Sequence, residues 1–206
     1  MNLDLIDYAG VVLFAATGVL AAERKNLDLL GMVVIATVTA IGGGTIRDML
    51  LDRVVFWIAK PAFLWVILGG AVATILYARW FHPPERLLAV LDALGLAFFT
   101  ISGAQIAEGL EHHGIVVVVM GTLTGVAGGM LRDIFTAEIP LILRKGQIYA
   151  TAAIFGAALY AVLESLIDRQ YAAIAGMVFI AALRLGAIAW NWTLPVVSLK
   201  RREGDR

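Results

Sequence analysis

The sequence contains no cysteine, which excludes disulfide bonds, thiolate metal sites and cysteine nucleophiles. It also lacks an excess of charge: 16 basic and 16 acidic residues give a net charge of zero, so there is no basic surface for nucleic acid. The motifs of zinc proteases, serine hydrolases and phosphate-binding loops are missing as well. We therefore expect a protein that is not an enzyme, has no catalytic residues and binds no cofactor, metal or nucleic acid.

Charged residues are scarce relative to apolar ones. They make up 16% of the chain, whereas hydrophobic residues make up 61%, and the mean hydropathy is +0.87. A soluble domain carries about 25% charged residues, because polar side chains cover its surface. Here lipid must replace water around much of the protein. The N-terminus has neither a basic segment nor a small-residue cleavage site, so the first apolar stretch reads as a retained helix.

Seven apolar stretches are of suitable length to cross a bilayer, which takes about 20 helical residues. Short polar segments separate them, and the alternating pattern of barrel strands is absent. The predicted spans, numbered one to seven, cover residues 5–22, 29–46, 62–80, 87–107, 115–131, 148–166 and 171–190.

The distribution of lysine and arginine predicts the orientation of these spans, because cytoplasmic loops carry the excess of basic residues. With the C-terminus in the cytoplasm, eleven basic residues lie on that side: Arg24, Lys25, Arg79, Arg86, Arg132, Arg144, Lys145, Lys200, Arg201, Arg202 and Arg206. Four lie on the opposite side: Arg47, Arg53, Lys60 and Arg169. We expect a multi-pass protein of the inner membrane with its N-terminus outside and its C-terminus in the cytoplasm.

The chain contains an internal repeat. A shift of 85 residues aligns it with itself without a gap, so that Asp7 aligns with Asp92 and the motif Gly-Gly-x-x-Arg-Asp recurs at 43–48 and 128–133. Each unit holds three spans, an odd number, so the second unit enters the membrane from the opposite side. Such inverted repeats are related by a pseudo-two-fold axis in the membrane plane and place a solute pathway at their interface.

These observations predict the fold class. We expect an all-α membrane protein with seven transmembrane helices, built from two inverted three-helix repeats and a seventh helix. The first repeat covers residues 1–84 and the second covers residues 85–168. Residues 169–206 form the seventh helix and a cytoplasmic tail.

Glycines are concentrated in spans two and five, as Gly42-Gly43-Gly44 and Gly128-Gly129. Because glycine weakens a helix by about 0.5–1 kcal/mol relative to alanine, a kink or an unwound turn is one prediction for each cluster. Carbonyl groups freed there would have to line a wet cavity or be buried in protein. The alternative is close helix packing along a stripe of small residues. Both interpretations stay open.

Hydroxyl side chains lie near the glycines and at mid-span. Thr17 and Ser102 are related by the repeat, and so are Thr39 and Thr124. Such hydroxyls commonly bond to the carbonyl of their own helix. The alternative is that these four residues form the polar lining of a cation pathway.

Charged residues follow each glycine cluster, as Arg47-Asp48 and Arg132-Asp133, at or just beyond the predicted span ends. Adjacent helical residues point about 100° apart, so an arginine need not pair with the aspartate beside it. The pairs are either salt bridges at the interface or electrostatic rings at the two mouths of a pathway.

Three further charges receive structural interpretations. Asp7 and Asp92 mark the starts of spans one and four. Arg184, in span seven, either extends to the cytoplasmic side or holds an interior carboxylate.

The two Gly-Gly-x-x-Arg-Asp motifs, the segments at 55–57 and 138–144, and the ending at 184–195 together resemble the trimeric intracellular cation channel family, in its short prokaryotic branch. The resemblance covers nearly the whole chain. It implies a homotrimer in membrane lipid, with one hourglass pore per subunit for monovalent cations, chiefly potassium and also sodium.

The resemblance also implies which helices form the pore: helices 2 and 5, kinked at their glycines, beside helices 1 and 4. The second motif departs from the first, because Ala127 stands where the first motif has a third glycine. Two functions compete, a potassium-permeable channel and a transporter of a small solute such as a small amino acid. Inverted repeats with broken helices suit alternating access as well as permeation.

Overall fold

The computed structural model describes residues 3–81, 83–84 and 86–195. It contains seven long helices: α1 (Leu3–Arg24), α2 (Leu29–Leu50), α3 (Ala62–Trp80), α4 (Leu87–Gly109), α5 (Gly114–Phe135), α6 (Ala150–Glu164) and α7 (Arg169–Trp190). A single-turn helix, Phe56–Ala59, lies between α2 and α3, and a 3-10 turn, Leu141–Leu143, lies between α5 and α6.

The helices confirm the prediction of an all-α membrane protein. Six of them are long and apolar enough to cross a membrane, and the residues described contain no β-strand. Whether the predicted span at 148–166 crosses the membrane stays a prediction, because α6 is apolar but has only 15 residues. The loop before α6 contains a turn in which Gly146 adopts a φ of 75°, a left-handed conformation that favours glycine.

Helices α2 and α5 are longer than predicted and run through their glycine clusters without interruption. An unwound turn at these glycines is therefore wrong, and whether either helix bends there stays a prediction. The pairs Arg47-Asp48 and Arg132-Asp133 lie in the last turn of their helices, at the helix ends and not beyond them. The ladder of backbone hydrogen bonds continues because the glycines pack against a neighbouring helix and are not exposed to lipid.

The core consists of two apolar clusters, one in each half of the chain. Side chains of α1, α2 and α3 form the first, around Phe14 and Phe63. Side chains of α4 to α7 form the second, around Ile101 and Ile180. The ring of Phe14 lies 5.0 Å from that of Phe99, centre to centre, and this pair joins the first half to α4.

Each of these two rings covers a glycine of the opposite half. A Cβ added to Gly10 would lie 3.2 Å from the ring of Phe99, and one added to Gly95 would overlap the ring of Phe14. The two contacts exchange under the 85-residue shift, which relates Gly10 to Gly95 and Phe14 to Phe99. The packing of α1 against α4 is therefore reciprocal.

Helices α2 and α5 cross in the same reciprocal way. A Cβ on Gly128 would lie 2.5 Å from the carbonyl oxygen of Thr39, and a Cβ on Gly43 would overlap the carbonyl oxygen of Thr124. The shift of 85 residues relates the two glycines and the two threonines. Only glycine permits backbones to approach this closely. Close helix packing, one of the two interpretations of the glycines, is thus what the structure contains.

This crossing generates a prediction about stability. Replacing Gly43→Ala should lower the free energy of unfolding by about 1–3 kcal/mol, because the methyl group must displace a backbone carbonyl and α2 must move away from α5. Reversible unfolding in mixed micelles measures the difference. Gly69→Ala is the matched control, since a Cβ there has no neighbour within 4 Å. If the two variants were equally stable, close backbone contact would not be what requires glycine at position 43.

Candidate ion pathway and its charged ends

The threonines proposed as pathway lining are buried among the four central helices. Thr17, Thr39 and Thr124 are fully buried. Each hydroxyl donates to the carbonyl oxygen three or four residues earlier in its own helix, at 2.9, 2.6 and 2.6 Å respectively. The predicted hydrogen bonds to the helix backbone are therefore observed. Because each hydroxyl donates in its bond, its oxygen can still accept a hydrogen bond or contact a cation.

Ser102 behaves differently from its repeat mate Thr17. Its hydroxyl donates a short hydrogen bond to the Oδ1 atom of Asp7, so that α4 is joined to α1 inside the protein. Asp7 is itself buried within α1. Asp7 lies near the start of α1, as predicted, and its carboxylate is in addition a hydrogen-bond acceptor for a buried residue of the other half.

A buried ion cluster occupies the C-terminal part of α5. Arg132 donates from Nη1 to Oδ1 of Asp92 at 2.7 Å, and from Nε and Nη2 to Oδ1 of Asp133 at 2.9 and 2.8 Å. The hydroxyl of buried Tyr149 adjoins the same cluster, since a Cβ on Gly129 would lie 2.6 Å from it and 3.2 Å from Oδ1 of Asp92. The cluster thus combines two carboxyl groups with one guanidinium and joins α4 to α5.

Asp92 has a role that its interpretation as the mark of a span start did not include. It lies within α4 and is fully buried. Sequence reasoning missed its role because its partner Arg132 is 40 residues away along the chain. The repeat was the available signal, because it places an aspartate at equivalent positions of the two units, Asp7 in the first and Asp92 in the second.

The corresponding cluster at the end of α2 is incomplete. Arg47 donates from Nε to Oδ1 of Asp48 at 2.9 Å, and its Nη2 lies 2.9 Å from the same oxygen. Its Nη1 has no hydrogen-bond partner although it is buried. Each arginine thus pairs with the aspartate beside it, and among the described residues only Arg132 of the second repeat adds a pair between helices.

Asp48 and Asp133 have a second task that is the same in both repeats. The Oδ2 atom of Asp48 accepts the backbone N–H of Phe56 at 2.8 Å, and that of Asp133 accepts the backbone N–H of Leu141 at 3.0 Å. Each aspartate therefore fixes its own arginine with one oxygen and the returning chain with the other. These contacts are those of buried salt bridges, and a ring of charge at a pathway mouth stays a prediction.

A polar cavity of about 210 Å³ leads from the α5 cluster to the surface. Its lining combines the Arg132-Asp133 pair with residues of the neighbouring helix ends and loop, namely Ala21, Arg24, Lys25, Leu88, Thr136, Glu138, Leu141 and Arg144. At its rim the ammonium of Lys25 lies 2.5 Å from the carboxylate of Glu138. This hydrogen bond, with the positive charges of Lys25 and Arg144, lowers the pKa of Glu138, so the rim carries an ionised carboxylate at neutral pH.

The family is shown by comparison of sequences. A family model described as Glycine transporter matches the chain twice, over residues 4–79 and 89–165. The chain belongs to this family. Among curated relatives, the UPF0126 inner membrane protein YadS of Escherichia coli strain K12 is 42% identical over 200 residues, covering 94% of this chain and 95% of the relative. A UPF0126 membrane protein of Vibrio cholerae is 40% identical over 205 residues, 97% of this chain and 84% of the relative.

Solved structures confirm the resemblance to trimeric intracellular cation channels. The TRIC orthologue from Rhodobacter sphaeroides matches with a TM-score of 0.86 and 39% identity, over 92% of this chain and 98% of that chain. A second TRIC cation channel, from a study of conductance, matches with a TM-score of 0.86 and 33% identity, over 98% and 100% of the two chains. The helices described above therefore form the TRIC fold.

The Arg132 cluster generates a prediction. Asp92→Asn should lower the free energy of unfolding by about 1.5–3 kcal/mol, because a charge-assisted hydrogen bond to a buried guanidinium is lost. Glu23→Gln, at an exposed position of α1, should change it by less than about 0.5 kcal/mol. Unfolding of both variants in one micelle system makes the comparison. An unchanged stability of Asp92→Asn would mean that Asp133 alone compensates Arg132.

Proposed function

We propose that the chain is a passive channel for monovalent cations, permeable to potassium, with one pore inside each subunit of a homotrimer. The pore is lined by α2 and α5 together with α1 and α4. The observation that carries this proposal is the reciprocal packing of these four helices around buried hydroxyls. The fold matches those of two TRIC cation channels, each with a TM-score of 0.86. The proposed lining residues are Thr17, Thr39, Ser102 and Thr124, beside the glycines Gly42, Gly43, Gly44, Gly128 and Gly129.

The conformation described here is closed in this proposal. All four hydroxyl residues are fully buried, and the backbones of α2 and α5 touch at Gly43 and Gly128. A through pathway requires these helices to separate or bend at the glycines. Separation costs little apolar burial at this point, because glycine has no side chain to pack.

The proposed architecture is a pair of inverted three-helix repeats, residues 1–84 and 85–168, followed by the seventh helix and tail in residues 169–206. Two observations support it. The family model matches once in each half, and the contacts between the halves exchange under the 85-residue shift. In this proposal α6 completes the second repeat despite its 15 residues, since bilayers thin locally around short helices at modest cost.

The proposed lining predicts the selectivity. Neutral hydroxyl and carbonyl oxygens attract cations, whereas strong selection of one cation requires a rigid filter or a ring of carboxylates. The pairs Arg47-Asp48 and Arg132-Asp133 mark the two mouths of the proposed pore. We therefore expect permeation of potassium and sodium with weak discrimination between them and exclusion of chloride.

Conductance of the purified protein in planar bilayers tests the proposal. We expect discrete current steps and, under a potassium chloride gradient, a reversal potential close to the potassium equilibrium value. Thr39→Val and Thr124→Val should lower the step size, because each removes a lining oxygen without changing side-chain volume. Thr74→Val on α3 is the matched control, since this threonine also bonds to its own backbone, at 2.7 Å. A chloride preference, or equal effects of all three variants, would contradict the proposed pore.

A carrier of a small amino acid is the second candidate, and the description of the matching family model, Glycine transporter, favours testing glycine. The two functions differ in an observable way. A carrier gives saturable uptake of labelled glycine into liposomes at low turnover and no current steps. The structural neighbours favour the channel.

We place the protein in the inner membrane, with its N-terminus outside and its C-terminus in the cytoplasm. An inner-membrane location is supported by the relative YadS, which is described as an inner membrane protein. The basic tail that contributed to this orientation, Lys200, Arg201, Arg202 and Arg206, lies outside the described residues.

Reporter fusions test the orientation. A reporter after Arg206 should be active only as a cytoplasmic fusion, and one inserted between Glu111 and Gly114 only as an external fusion, because an odd number of spans separates them. The uninserted protein with a reporter at each terminus serves as the control. Detection of both positions on one side of the membrane would contradict the inverted repeat.

A further inference from the structure

The side chain of Arg184 on α7 is buried without a counter-charge. It is 2% exposed, its Nη1 donates to the carbonyl oxygen of Ile148 at 2.7 Å, and its guanidinium lies 4.9 Å from the ring centre of Tyr149. Its Nε has no hydrogen-bond partner. Within the described part of the chain no carboxylate forms a salt bridge with it. Pairing with an interior carboxylate is therefore not what the described residues contain, and extension of the side chain toward the cytoplasmic side stays a prediction.

The positive charge of a buried arginine has to be balanced by an anion or by hydrogen-bond acceptors. The guanidinium stays protonated in proteins, so it cannot lose its charge as a buried lysine or histidine can. Buried charges are stable only when they are paired or fully hydrogen-bonded. One carbonyl and one aromatic face do not replace an anion, and a donor without an acceptor remains. Among the described residues, the Nε donor of Arg184 has no acceptor.

The space for such a group is a cavity of about 270 Å³ beside Arg184. Its described lining contains a second arginine, Arg86, and no acidic side chain; the other members are Gln147, Ala187, Ile188, Asn191, Trp192 and Thr193. Two guanidinium groups, two amides and a hydroxyl supply many N–H and O–H donors. Such a donor set matches the oxygens of a phosphate group, which arginine binds in a bidentate manner.

The position of the cavity indicates where the phosphate group comes from. The cavity lies at the C-terminal end of α7, where Trp190 and Trp192 stack with their ring centres 5.3 Å apart and are largely exposed. Exposed tryptophans at the end of a spanning helix are typical of the lipid headgroup level. Arg86 directly precedes α4 and reaches the same level.

We propose that the cavity formed by Arg184, Arg86, Gln147, Asn191 and Thr193 binds a phosphate group carried by an anionic lipid headgroup. The site is separate from the α2–α5 crossing, and it would exist whether the protein is a channel or a carrier. The bound phosphate compensates Arg184 and holds the segment after α7 against the loop before α6, where Leu194 N–H already donates to the carbonyl oxygen of Gly146 at 2.9 Å.

Thermal unfolding of the delipidated full-length protein tests this site. Phosphatidylglycerol should raise the melting temperature in a saturable manner, whereas phosphatidylcholine and inorganic phosphate should not. Arg86→Gln should weaken the apparent affinity for phosphatidylglycerol about tenfold, the loss expected for one charge-assisted hydrogen bond. Arg86 is exposed, so this variant should fold. Arg79→Gln, an exposed arginine near the end of α3, is the matched control and should bind as the unmodified protein does.

The outcomes separate the possibilities. A selective shift by phosphatidylglycerol that is reduced in Arg86→Gln and retained in Arg79→Gln supports the site. An equal shift by inorganic phosphate would overturn the assignment to a lipid. The proposal also fails if phosphatidylglycerol gives no shift, or if Arg86→Gln and Arg79→Gln reduce it equally. Equal reduction by both variants would indicate that phosphatidylglycerol is attracted to the basic surface in general. The charge of Arg184 would then be balanced by another group, such as a carboxylate of a neighbouring subunit.

Discussion

The backbones of α2 and α5 touch where Gly43 meets the carbonyl of Thr124 and Gly128 meets that of Thr39. A side chain at either glycine would push the two helices apart. Because α1 packs on α2 and α4 packs on α5, this crossing also determines how closely Phe14 and Phe99 approach each other between the halves. The central bundle thus depends on two positions that carry no side chain, and a pathway along it can open only by changing this contact.

The buried charges depend on the same crossing. Arg47 and Arg132 follow the glycines by one helical turn and are held by the aspartates next to them. These aspartates also bind the returning chain, so the ends of α2 and α5 are tied to the loops that follow. The two ends are not equivalent, because Arg132 reaches a carboxylate on another helix, that of Asp92, whereas Arg47 reaches none in the part of the chain that the structure describes. The repeat therefore conserves the local motif while its longer-range pairing differs.

Much of this was predictable from the sequence, because lipid imposes long apolar runs and the repeat aligns charges as well as glycines. The helices, the family and the importance of Gly43 and Gly128 follow from those patterns. The role of Asp92 did not, since a residue near a predicted span start looks like a boundary when its partner is distant along the chain. The unwound turn was wrong because glycine propensity takes no account of a neighbouring backbone. Likewise, hydropathy did not reveal that α6 has only 15 residues.

The central claim is that a cation pathway runs between α1, α2, α4 and α5 of a single subunit. The absence of cysteine allows single cysteines to be introduced without background. The most direct measurement is block of potassium current by a water-soluble cationic thiol reagent in Thr17→Cys and Ser102→Cys, with Val72→Cys on the exposed face of α3 as the control. The account predicts block at both central positions and none at the control. Potassium current that persists in both central variants after treatment with the thiol reagent would contradict it, as would block at Val72→Cys alone.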